Sequence, residues 1–393
     1  MFKVGGWSLA RWRGQGRLLK LILAPRRLMS KRIVSMGKSV SCPARSTETS
    51  TDSQRARVFC GIDVSRETLA VAVLAPDQPI EHRAFANTAG GHKGLIAWLG
   101  KKRAVVRVSL EATGIYSLDL ALALDGAEDV ELAVLNPKLV NRFAQTLRRS
   151  KTDKADAEVL AEYSLRMPFQ AWRRPGQTAL ALRAIGRHIE ALGLEHTRAL
   201  NRLRAAEGTL TAARCVVADL RRCLAGLERR MVKLRREARK VIDGNEQMRE
   251  QFRLLVGMPG IGEISGLQIL GELVLLAPEM KARQWVARSG LDPVHRESGS
   301  SVHKPARISR AGSRHLRRAL YMPALSAVRC DPHLKAFYEA LLCRHKTKLQ
   351  ALIAVARKLL HAIYGIFKSR TPYDGQKLFP ALRIGCAIES TSR

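Results

Sequence analysis

Val58-Phe59-Cys60-Gly61-Ile62-Asp63-Val64 is a short apolar run, rich in β-branched and aromatic residues, with a single acid inside it. Seven residues of this composition predict a buried β-strand. A carboxylate in such a strand is costly to bury unless it has a partner or a task. Asp63 is therefore the first residue for which the sequence asks for a functional explanation.

The elements that follow this strand build outward into one domain. Strands come first and then alternate with helices, which predicts an α/β domain over residues 58–167. After the first strand, the further strands are expected at Leu69 to Leu74 as its hairpin partner, at Glu81 to Asn87, at Ala104 to Leu110 with Glu111 at its end, and at Val130 to Leu135. The helices are expected at Gly91 to Leu99, Ile115 to Leu124, Pro137 to Leu147 and Asp153 to Leu165.

The second half of the chain has a helical pattern. No proline occurs from Gln177 to Phe252, and leucines recur there at helical spacing. This predicts two long helices, broken near Arg214 to Val217, as an antiparallel hairpin or coiled coil spanning residues 168–252. Its arginine-rich polar face either is solvated or contacts nucleic acid. Residues 253–373 predict a compact, mainly α C-terminal domain, and residues 374–393 a loose tail.

The charge of the chain points to a polyanionic partner. The net charge is +34 and the isoelectric point is about 10.9. Nucleic acid fits best, because neutralising phosphates releases counterions. A membrane is not expected, since the best apolar run, Leu18 to Ala24, is far shorter than the roughly 20 residues of a spanning helix. The seven cysteines form no CxxC pair, which argues against a zinc site and fits a reducing cytoplasm.

Residues 1–57 differ in character from the rest. The segment has no acid before Glu48 and is rich in arginine and lysine. Three interpretations stay open: a disordered basic arm that touches nucleic acid, a targeting peptide, or a start assigned too far upstream, with Met29 or Met36 as the true start. The segment is left out of the fold argument.

Four carboxylates form a pattern that predicts a metal site. Asp63 lies in the first strand, Glu111 ends another strand, and Asp153 and Asp156 share one face at the start of a helix. If the strands are neighbours and the helix packs across them, the four converge, and hard cations, Mg²⁺ or Mn²⁺, would relieve their repulsion. The simpler interpretation of Asp153 and Asp156 is that they complement the helix dipole.

Basic residues and a glycine turn predict nucleic-acid contacts. Arg148, Arg149, Lys151 and Lys154 flank the helix acids and either hold a phosphate backbone or form a solvated loop. Pro259-Gly260-Ile261-Gly262 is typical of a helix-hairpin-helix turn, in which Gly260 and Gly262 let backbone N–H groups approach phosphate. A plain turn between two helices is the alternative.

A serine-rich stretch supplies possible nucleophiles. Small residues around Ser298, Ser300 and Ser301 predict an exposed loop, and the residues alone do not choose among the three. Four cations follow that would attract a phosphate: Lys304, Arg307, Arg310 and Arg314. The alternative is a polar loop that only binds phosphate. Ser309 and Ser313 are expected to serve structure.

Taken together, these motifs resemble the DEDD transposases of bacterial insertion sequences, the family numbered one-ten. The resemblance runs from about Phe59 to Tyr373. It is carried by Gly61-Ile62-Asp63-Val64, Glu111-Ala112-Thr113-Gly114, Lys151-Thr152-Asp153-Lys154-Ala155-Asp156-Ala157, Pro259-Gly260-Ile261-Gly262, Gly290-Leu291, Glu297-Ser298-Gly299, Ile308-Ser309-Arg310-Ala311-Gly312 and Leu316-Arg317-Arg318-Ala319-Leu320.

The resemblance implies more than the residues do. It implies a RuvC-like, ribonuclease-H-fold N-terminal domain that carries the acidic tetrad, and a C-terminal transposase domain whose nucleophile is Ser298. It implies DNA as substrate, a structured noncoding guide RNA, and a homo-oligomer in which one subunit's serine completes another's acidic site. Two other functions stay open: a RuvC-like hydrolytic nuclease acting on branched DNA, and a non-catalytic nucleic-acid-binding protein.

Overall fold

The computed structural model describes residues 57–112, 114, 116–147, 152–298 and 302–378, without the side chains of residues 296–298 and 302–305. Several predictions of the sequence analysis fall outside these ranges. They concern the basic arm before Arg57, the cations Arg148, Arg149 and Lys151, the serines Ser300 and Ser301, and the tail from residue 379.

The first part of the described chain is built on a five-stranded mixed sheet. Its strands are β1 (Arg57–Val64), β2 (Thr68–Leu74), β3 (Glu81–Ala86), β4 (Val105–Glu111) and β5 (Val130–Leu135). Their order is β3-β2-β1-β4-β5. β1 pairs antiparallel with β2 and parallel with β4, and β4 continues the parallel half to β5. The predicted α/β class is confirmed.

Helices cover both faces of this sheet. The bounds are α1 (Ala89–Gly100), α2 (Leu118–Asp125), α3 (Pro137–Leu147) and α4 (Asp153–Arg166). Alternate residues of β1, among them Cys60 and Ile62, are fully buried in one cluster with Leu95 of α1 and Leu120 of α2. Since side chains alternate along a strand, Gly61 and Asp63 point to the opposite face, which α4 covers.

Gly61 determines how closely α4 approaches the sheet. A Cβ atom at this position would lie 2.0 Å from the carbonyl oxygen of Ala157 and 2.3 Å from the backbone nitrogen of Ala161. Only glycine therefore lets the helix backbone rest directly on β1. On the next strand, the hydroxyl of Ser109 lies 2.7 Å from that of Ser164 in a buried hydrogen bond. Together these contacts fix α4 across β1 and β4.

A long helical hairpin follows, made of α5 (Gln177–Glu207) and α6 (Arg214–Asp243). Its antiparallel packing shows in the ion pairs Glu207–Arg221 (2.7 Å) and His196–Glu228 (3.0 Å). The two predicted helices are confirmed, although the break falls at residues 208–213, slightly earlier than expected. The expectation that helix continues to Phe252 is wrong, because the chain leaves α6 at Gly244 and restarts with Asn245 as the N-cap of the next helix.

The rest of the described chain is mainly helical. Its helices are α7 (Glu246–Val256), α8 (Glu263–Leu273), α9 (Ala282–Ser289), α10 (Arg314–Cys330), α11 (Pro332–Cys343), α12 (Lys348–Ser369) and α13 (Gly375–Leu378). Their shared core also contains Ala179 and Leu182 of α5 and Ala238 and Ile242 of α6. The open end of the hairpin is thus part of the C-terminal core.

A β-hairpin stands where the sequence analysis expected a serine-rich loop. β6 (Pro293–Ser298) pairs antiparallel with β7 (Val302–Ile308), with Ser298 opposite Val302. The alternation of apolar and polar residues was too short, and too broken by Pro293 and Pro305, to predict strands. Most of residues 293–308 are therefore strand, where the sequence analysis expected a loop.

α12 is a long apolar helix, and the spacing of its apolar residues predicts a helix from Leu349 to Phe367, which the structure confirms. By length and composition it is the one helix in the described residues that could cross a membrane. The expectation that no apolar run approaches such a length concerned uninterrupted runs, and Arg357 and Lys358 interrupt this one. In the structure its fully buried residues, among them Val355, Leu359 and Ile363, face the C-terminal core.

Candidate active site

Asp63 and Glu111 occupy equivalent positions on neighbouring parallel strands. Ile62 of β1 is the register partner of Leu110 of β4, and each acid is the next residue along its strand. Both side chains are half-buried, and both lie at the carboxyl ends of their strands on the α4 side of the sheet. The prediction that the two strands are neighbours is confirmed.

Asp153 and Asp156 lie in the first turn of α4. The hydroxyl of Thr152 caps this helix by accepting a hydrogen bond from the backbone nitrogen of Ala155 (3.2 Å). Asp153 is exposed and Asp156 half-buried. One turn beyond Asp153 is Ala157, whose backbone contacts Gly61, so the acids precede the point at which α4 crosses β1. Their charge also complements the positive end of the helix dipole, so the simpler interpretation holds as well.

The four carboxylates do not form an assembled metal site. Within the described residues, which include all four, there is no group of three or more His, Cys, Asp or Glu side chains that could hold a metal ion. The expected convergence is thus only partial: the strands and the helix are in place, but no three of the four carboxylates come together.

Ser298 is the last residue of β6 and belongs to a different part of the molecule. Its hairpin is fastened at the base, where the backbone nitrogen of Ser309 donates to the carbonyl oxygen of Asp292 (2.9 Å). The Ser309 hydroxyl also donates to the Asp292 carboxylate. The Arg317 guanidinium donates to the carbonyl oxygens of Ser289 (2.7 Å) and Gly312 (3.0 Å). The two ends of the hairpin are therefore held together, and the structural role expected of Ser309 is confirmed.

A second polar network holds the helix that follows the hairpin. Ser313 caps α10 by accepting from the backbone nitrogen of Leu316 (3.2 Å), and its hydroxyl donates to Glu272 of α8 (2.8 Å). Arg187 of α5 donates to both oxygens of the same carboxylate (2.6 and 3.1 Å). Burial alone would raise the pKa of Glu272, but these bonds and the Arg187 charge outweigh it and lower the pKa. The structural role expected of Ser313 is confirmed.

The sequence analysis gave no role to Glu272, Arg187 or Arg317, although Arg317 stands in the motif Leu316-Arg317-Arg318-Ala319-Leu320. Their partners are distant in sequence: Arg187 and Glu272 are 85 residues apart, and Arg317 reaches back 28 residues to Ser289. Only their position in helices that carry otherwise apolar faces could have drawn attention to them.

The cations expected to attract phosphate are distributed as follows. Arg307, Arg310 and Arg314 are exposed and follow β7 or lie at its end, and Lys154 is exposed in the first turn of α4. Lys304 pairs with Arg296 across the β-hairpin in backbone register. Their role in binding nucleic acid stays a prediction.

The two glycines of the turn between α7 and α8 have different surroundings. Gly260 has φ +84°, and a Cβ there would lie 2.5 Å from the backbone nitrogen of Ala327 and 2.7 Å from the carbonyl oxygen of Pro323. The side of Gly260 on which a Cβ would stand is thus occupied by α10, which gives this glycine a packing role. Contact of the turn's backbone N–H groups with phosphate stays a prediction. Gly262, the N-cap of α8, is exposed with open space around it.

Comparison with known proteins covers most of the chain. A DEDD-type model described as a transposase matches residues 60–210, and one described as the transposase IS116/IS110/IS902 family matches residues 252–339. The first match contains the four acids, and the second contains Ser298 and the glycine turn.

Individual relatives match this chain over most of its length or over a third of it. The pilin gene-inverting protein of Moraxella bovis is 26% identical, over 81% of this chain and 98% of its own. An uncharacterised 44.8 kDa protein of insertion element IS116 from Streptomyces clavuligerus is 25% identical, over 80% of this chain and 95% of its own. An uncharacterised 42 kDa protein of insertion element IS900 from Mycobacterium paratuberculosis is 29% identical over 33% of this chain and 34% of its own.

The order of the acids on β1, β4 and α4, the separate serine hairpin and the two family matches agree with one another. This chain belongs to the IS110/IS116/IS902 family of insertion-element transposases, which are DNA transposases and recombinases.

Proposed function

We propose that the protein cleaves and rejoins DNA by means of an acidic site, made of Asp63, Glu111, Asp153 and Asp156, and a nucleophile, Ser298. One observation carries the proposal: Asp63 and Glu111 directly follow paired residues on adjacent parallel strands. The helix that packs on this face of the sheet holds Asp153 and Asp156 in its first turn. The sheet order, with an antiparallel half and a parallel half, supports a ribonuclease-H-like domain around it.

The donor set fits a hard divalent cation, Mg²⁺ or Mn²⁺, because it consists of carboxylate oxygens alone. Bound there, such ions would stabilise charge on the attacking and leaving oxygens of a phosphodiester. The transposase family implies dependence on a divalent metal in general. The choice of Mg²⁺, and of these four residues as its ligands, is the finer part of the proposal.

Ser298 would act on the phosphodiester directly. Its Oγ forms a bond to phosphorus while the bond from phosphorus to the deoxyribose oxygen breaks, and the hydroxyl proton leaves with that sugar oxygen. The DNA end is then joined to the protein through a phosphoserine ester. Attack by a second deoxyribose hydroxyl restores a DNA strand and frees the serine, so the phosphodiester energy is conserved.

Rejoining is favoured over hydrolysis by one comparison. The Moraxella bovis relative is named for inverting a gene, and inversion requires that cut strands be joined again. A hydrolytic RuvC-like nuclease would use water and leave the strands cut. Since that relative matches 98% of its own length with this chain, we extend strand exchange to this protein. A noncoding guide RNA and an oligomer with composite sites complete the proposal and rest on the family resemblance.

Covalent trapping tests the nucleophile. A substrate carrying a labelled nick or a suicide site is incubated with parent protein and with Ser298→Ala, and the protein is resolved under denaturing conditions. We expect a labelled protein–DNA adduct with the parent and none with Ser298→Ala, with at least a thousandfold loss of strand joining, the scale of removing a catalytic nucleophile.

Ser300→Ala and Ser301→Ala are the matched controls, since each removes one hydroxyl from the same stretch. Both should keep the adduct. If Ser298→Ala cuts DNA as well as the parent, the protein is a hydrolytic nuclease and the proposal fails. If the parent neither binds covalently nor cuts, the non-catalytic interpretation is correct.

A further inference from the structure

α6 carries a row of four cations along its outer side: Arg229, Lys233, Arg236 and Lys240. The spacings of four, three and four residues place them one above another on a single face. At 1.5 Å per residue the row is about 16 Å long. All four residues are exposed.

The row lies opposite the side by which α6 is anchored. The buried residues of α6 are Leu224, Leu227, Ala238 and Ile242, which pack against α5 and into the C-terminal core. These positions fall half a helical turn away from the row, given 100° per residue. The cations are therefore presented outward on a two-helix support.

Three of the four cations are not used within the protein. Among the described residues, Arg229, Lys233 and Arg236 form no ion pair, whereas Arg221, Arg222 and Arg239 of the same helix are paired with Glu207, Asp219 and Asp243. Lys240 pairs with Glu237 at 3.1 Å, but that pair is exposed and contributes little. The two acids beside the row are themselves engaged, Glu228 with His196 and Glu237 with Lys240.

We infer that this row, Arg229 to Lys240, binds the sugar-phosphate backbone of duplex DNA without reading its sequence. The helix has ten basic and four acidic residues. A duplex carries one negative charge for about every 1.7 Å of its axis, so a 16 Å row of cations meets several phosphates. α6 has no aromatic side chain with which to stack on an unpaired base, which favours backbone contact over single-strand binding.

A second copy of the chain is a poorer occupant of this face. Two such rows in contact would place like charges against one another, and beside the row Val232 (44% exposed) is the one large apolar side chain among the described residues. The inference rests on DNA as the substrate but on neither Ser298 nor the acidic site. It assigns to the hairpin the holding of DNA away from the point of cleavage.

Salt-dependent binding tests the row. The full chain and a variant with Arg229→Gln, Lys233→Gln, Arg236→Gln and Lys240→Gln are titrated with a fluorescent duplex of arbitrary sequence, by anisotropy, at several salt concentrations. Glutamine keeps helix propensity close to that of arginine and lysine. We expect the slope of log affinity against log salt to become shallower by about 3 to 4, since each lost phosphate contact removes about 0.9.

A charge-matched control separates a local contact from the global charge. Lys93→Gln, Lys101→Gln, Lys346→Gln and Lys348→Gln remove four exposed cations elsewhere and should alter the slope by less than 1. Circular dichroism and thermal melting verify that both variants fold. Equal slopes for the parent and the row variant would overturn the inference. So would a loss confined to structured RNA, or a loss of self-association with unchanged DNA binding.

Failure of this test and failure of the proposed chemistry are distinguishable. The binding assay needs no cleavage, so a protein that forms no Ser298 adduct can still show the change in slope. Conversely, the row variant could keep a normal slope while Ser298→Ala abolishes the adduct, and then only the DNA-holding role of α6 is lost.

Discussion

At the scale of single residues, two glycines allow backbones to touch that otherwise would be held apart. Gly61 lets α4 rest on β1, and Gly260 lets the α7–α8 turn rest on α10. Both belong to motifs that the sequence analysis connected with catalysis or phosphate. Their surroundings indicate a role in packing. The contact at Gly61 fixes α4 on the strand that carries Asp63, and the contact at Gly260 fixes the α7–α8 turn against α10.

Gly260→Ala should destabilise the protein much more than Gly262→Ala. At Gly260 the positive φ costs about 1–2 kcal/mol and the overpacking against α10 about 1–3 kcal/mol. A drop of roughly ten degrees in Tm is expected. Thermal denaturation followed by circular dichroism measures it.

Gly262→Ala is the matched control for that substitution, because its Cβ enters open space at φ −81°. It should lower Tm by only a few degrees. If the two variants melt together, the close approach of Gly260 to α10 is not important for stability. A loss of DNA affinity in Gly262→Ala alone would support a phosphate contact at the N-terminus of α8.

Asp63→Asn should weaken divalent-metal binding tenfold or more. The substitution keeps size and removes one charged ligand from an oxygen-only set, and even partners outside the ligand shell commonly change metal affinity by about 10–100-fold. Isothermal titration with Mn²⁺ gives the affinity without reference to activity. Asp77→Asn, the same change in a turn with φ 56° that asparagine tolerates, serves as the control. Unchanged Mn²⁺ affinity in Asp63→Asn would remove Asp63 from the ligand set.

At the scale of elements, one buried carboxylate ties three helices together. Glu272 of α8 is only 8% exposed and binds Arg187 of α5 and Ser313 at the start of α10. Its pKa is lowered in the folded protein. The bonded charge thus stabilises the fold at neutral pH, and this contribution is lost as the pH falls through the ordinary range of a glutamate and into the lowered one.

The stability of the parent should therefore fall more steeply with acid than that of Glu272→Gln. The sign follows from linkage: a group whose pKa is lower in the folded state stabilises the protein fully above its unfolded pKa, near 4.3, and this contribution is lost as the pH falls from there through the lowered folded pKa. Urea denaturation at pH 7 and at about pH 3, well below the unfolded pKa, gives both free energies of unfolding. A variant that loses as much stability as the parent between the two pH values would show that Glu272 does not carry this dependence.

Elements of the N-terminal sheet were predictable because their signal is local. β1, β5 and α3 were each placed to within a residue, since alternation, proline and turn residues lie within the element itself. The β6–β7 hairpin was not predicted, because two prolines and basic residues hide a short alternation. The candidate acids and Ser298 came from pattern and resemblance. The contacts of Glu272 with Arg187 and of Arg317 with Ser289 could not have been found, because each joins segments that are distant in sequence.

At the scale of the whole molecule, the helical hairpin and the C-terminal helices share one core. The sequence analysis expected a boundary at residues 252 and 253, and that division stays a prediction. Leu182 and Ile242, both fully buried, come from the hairpin side of the boundary and pack with helices from the other side. Each contributes about 1.5–3 kcal/mol on burial, against a total stability of about 5–15 kcal/mol for a domain.

A fragment of residues 253–378 should consequently fail to fold cooperatively, whereas residues 177–378 should fold. The shorter fragment loses the partners of its apolar face and exposes it to water. Chemical denaturation and dye binding to exposed apolar surface compare the two. A sharp unfolding transition in the shorter fragment would show that the hairpin is dispensable for this core.

The rooted end of the α5–α6 hairpin has a mechanical consequence. Its free tip at residues 208–213 lies about 45 Å from the root, at 1.5 Å per residue over the length of α5. The hairpin is thus fixed at one end only, like a cantilever: Ala238 and Ile242 anchor that end in the C-terminal core. A load applied along its outer side would produce a torque at the clamp, on α8 and the start of α10. The start of α10 also holds the base of the β-hairpin whose first strand ends at Ser298, because Arg317 donates to the carbonyl oxygens of Ser289 and Gly312.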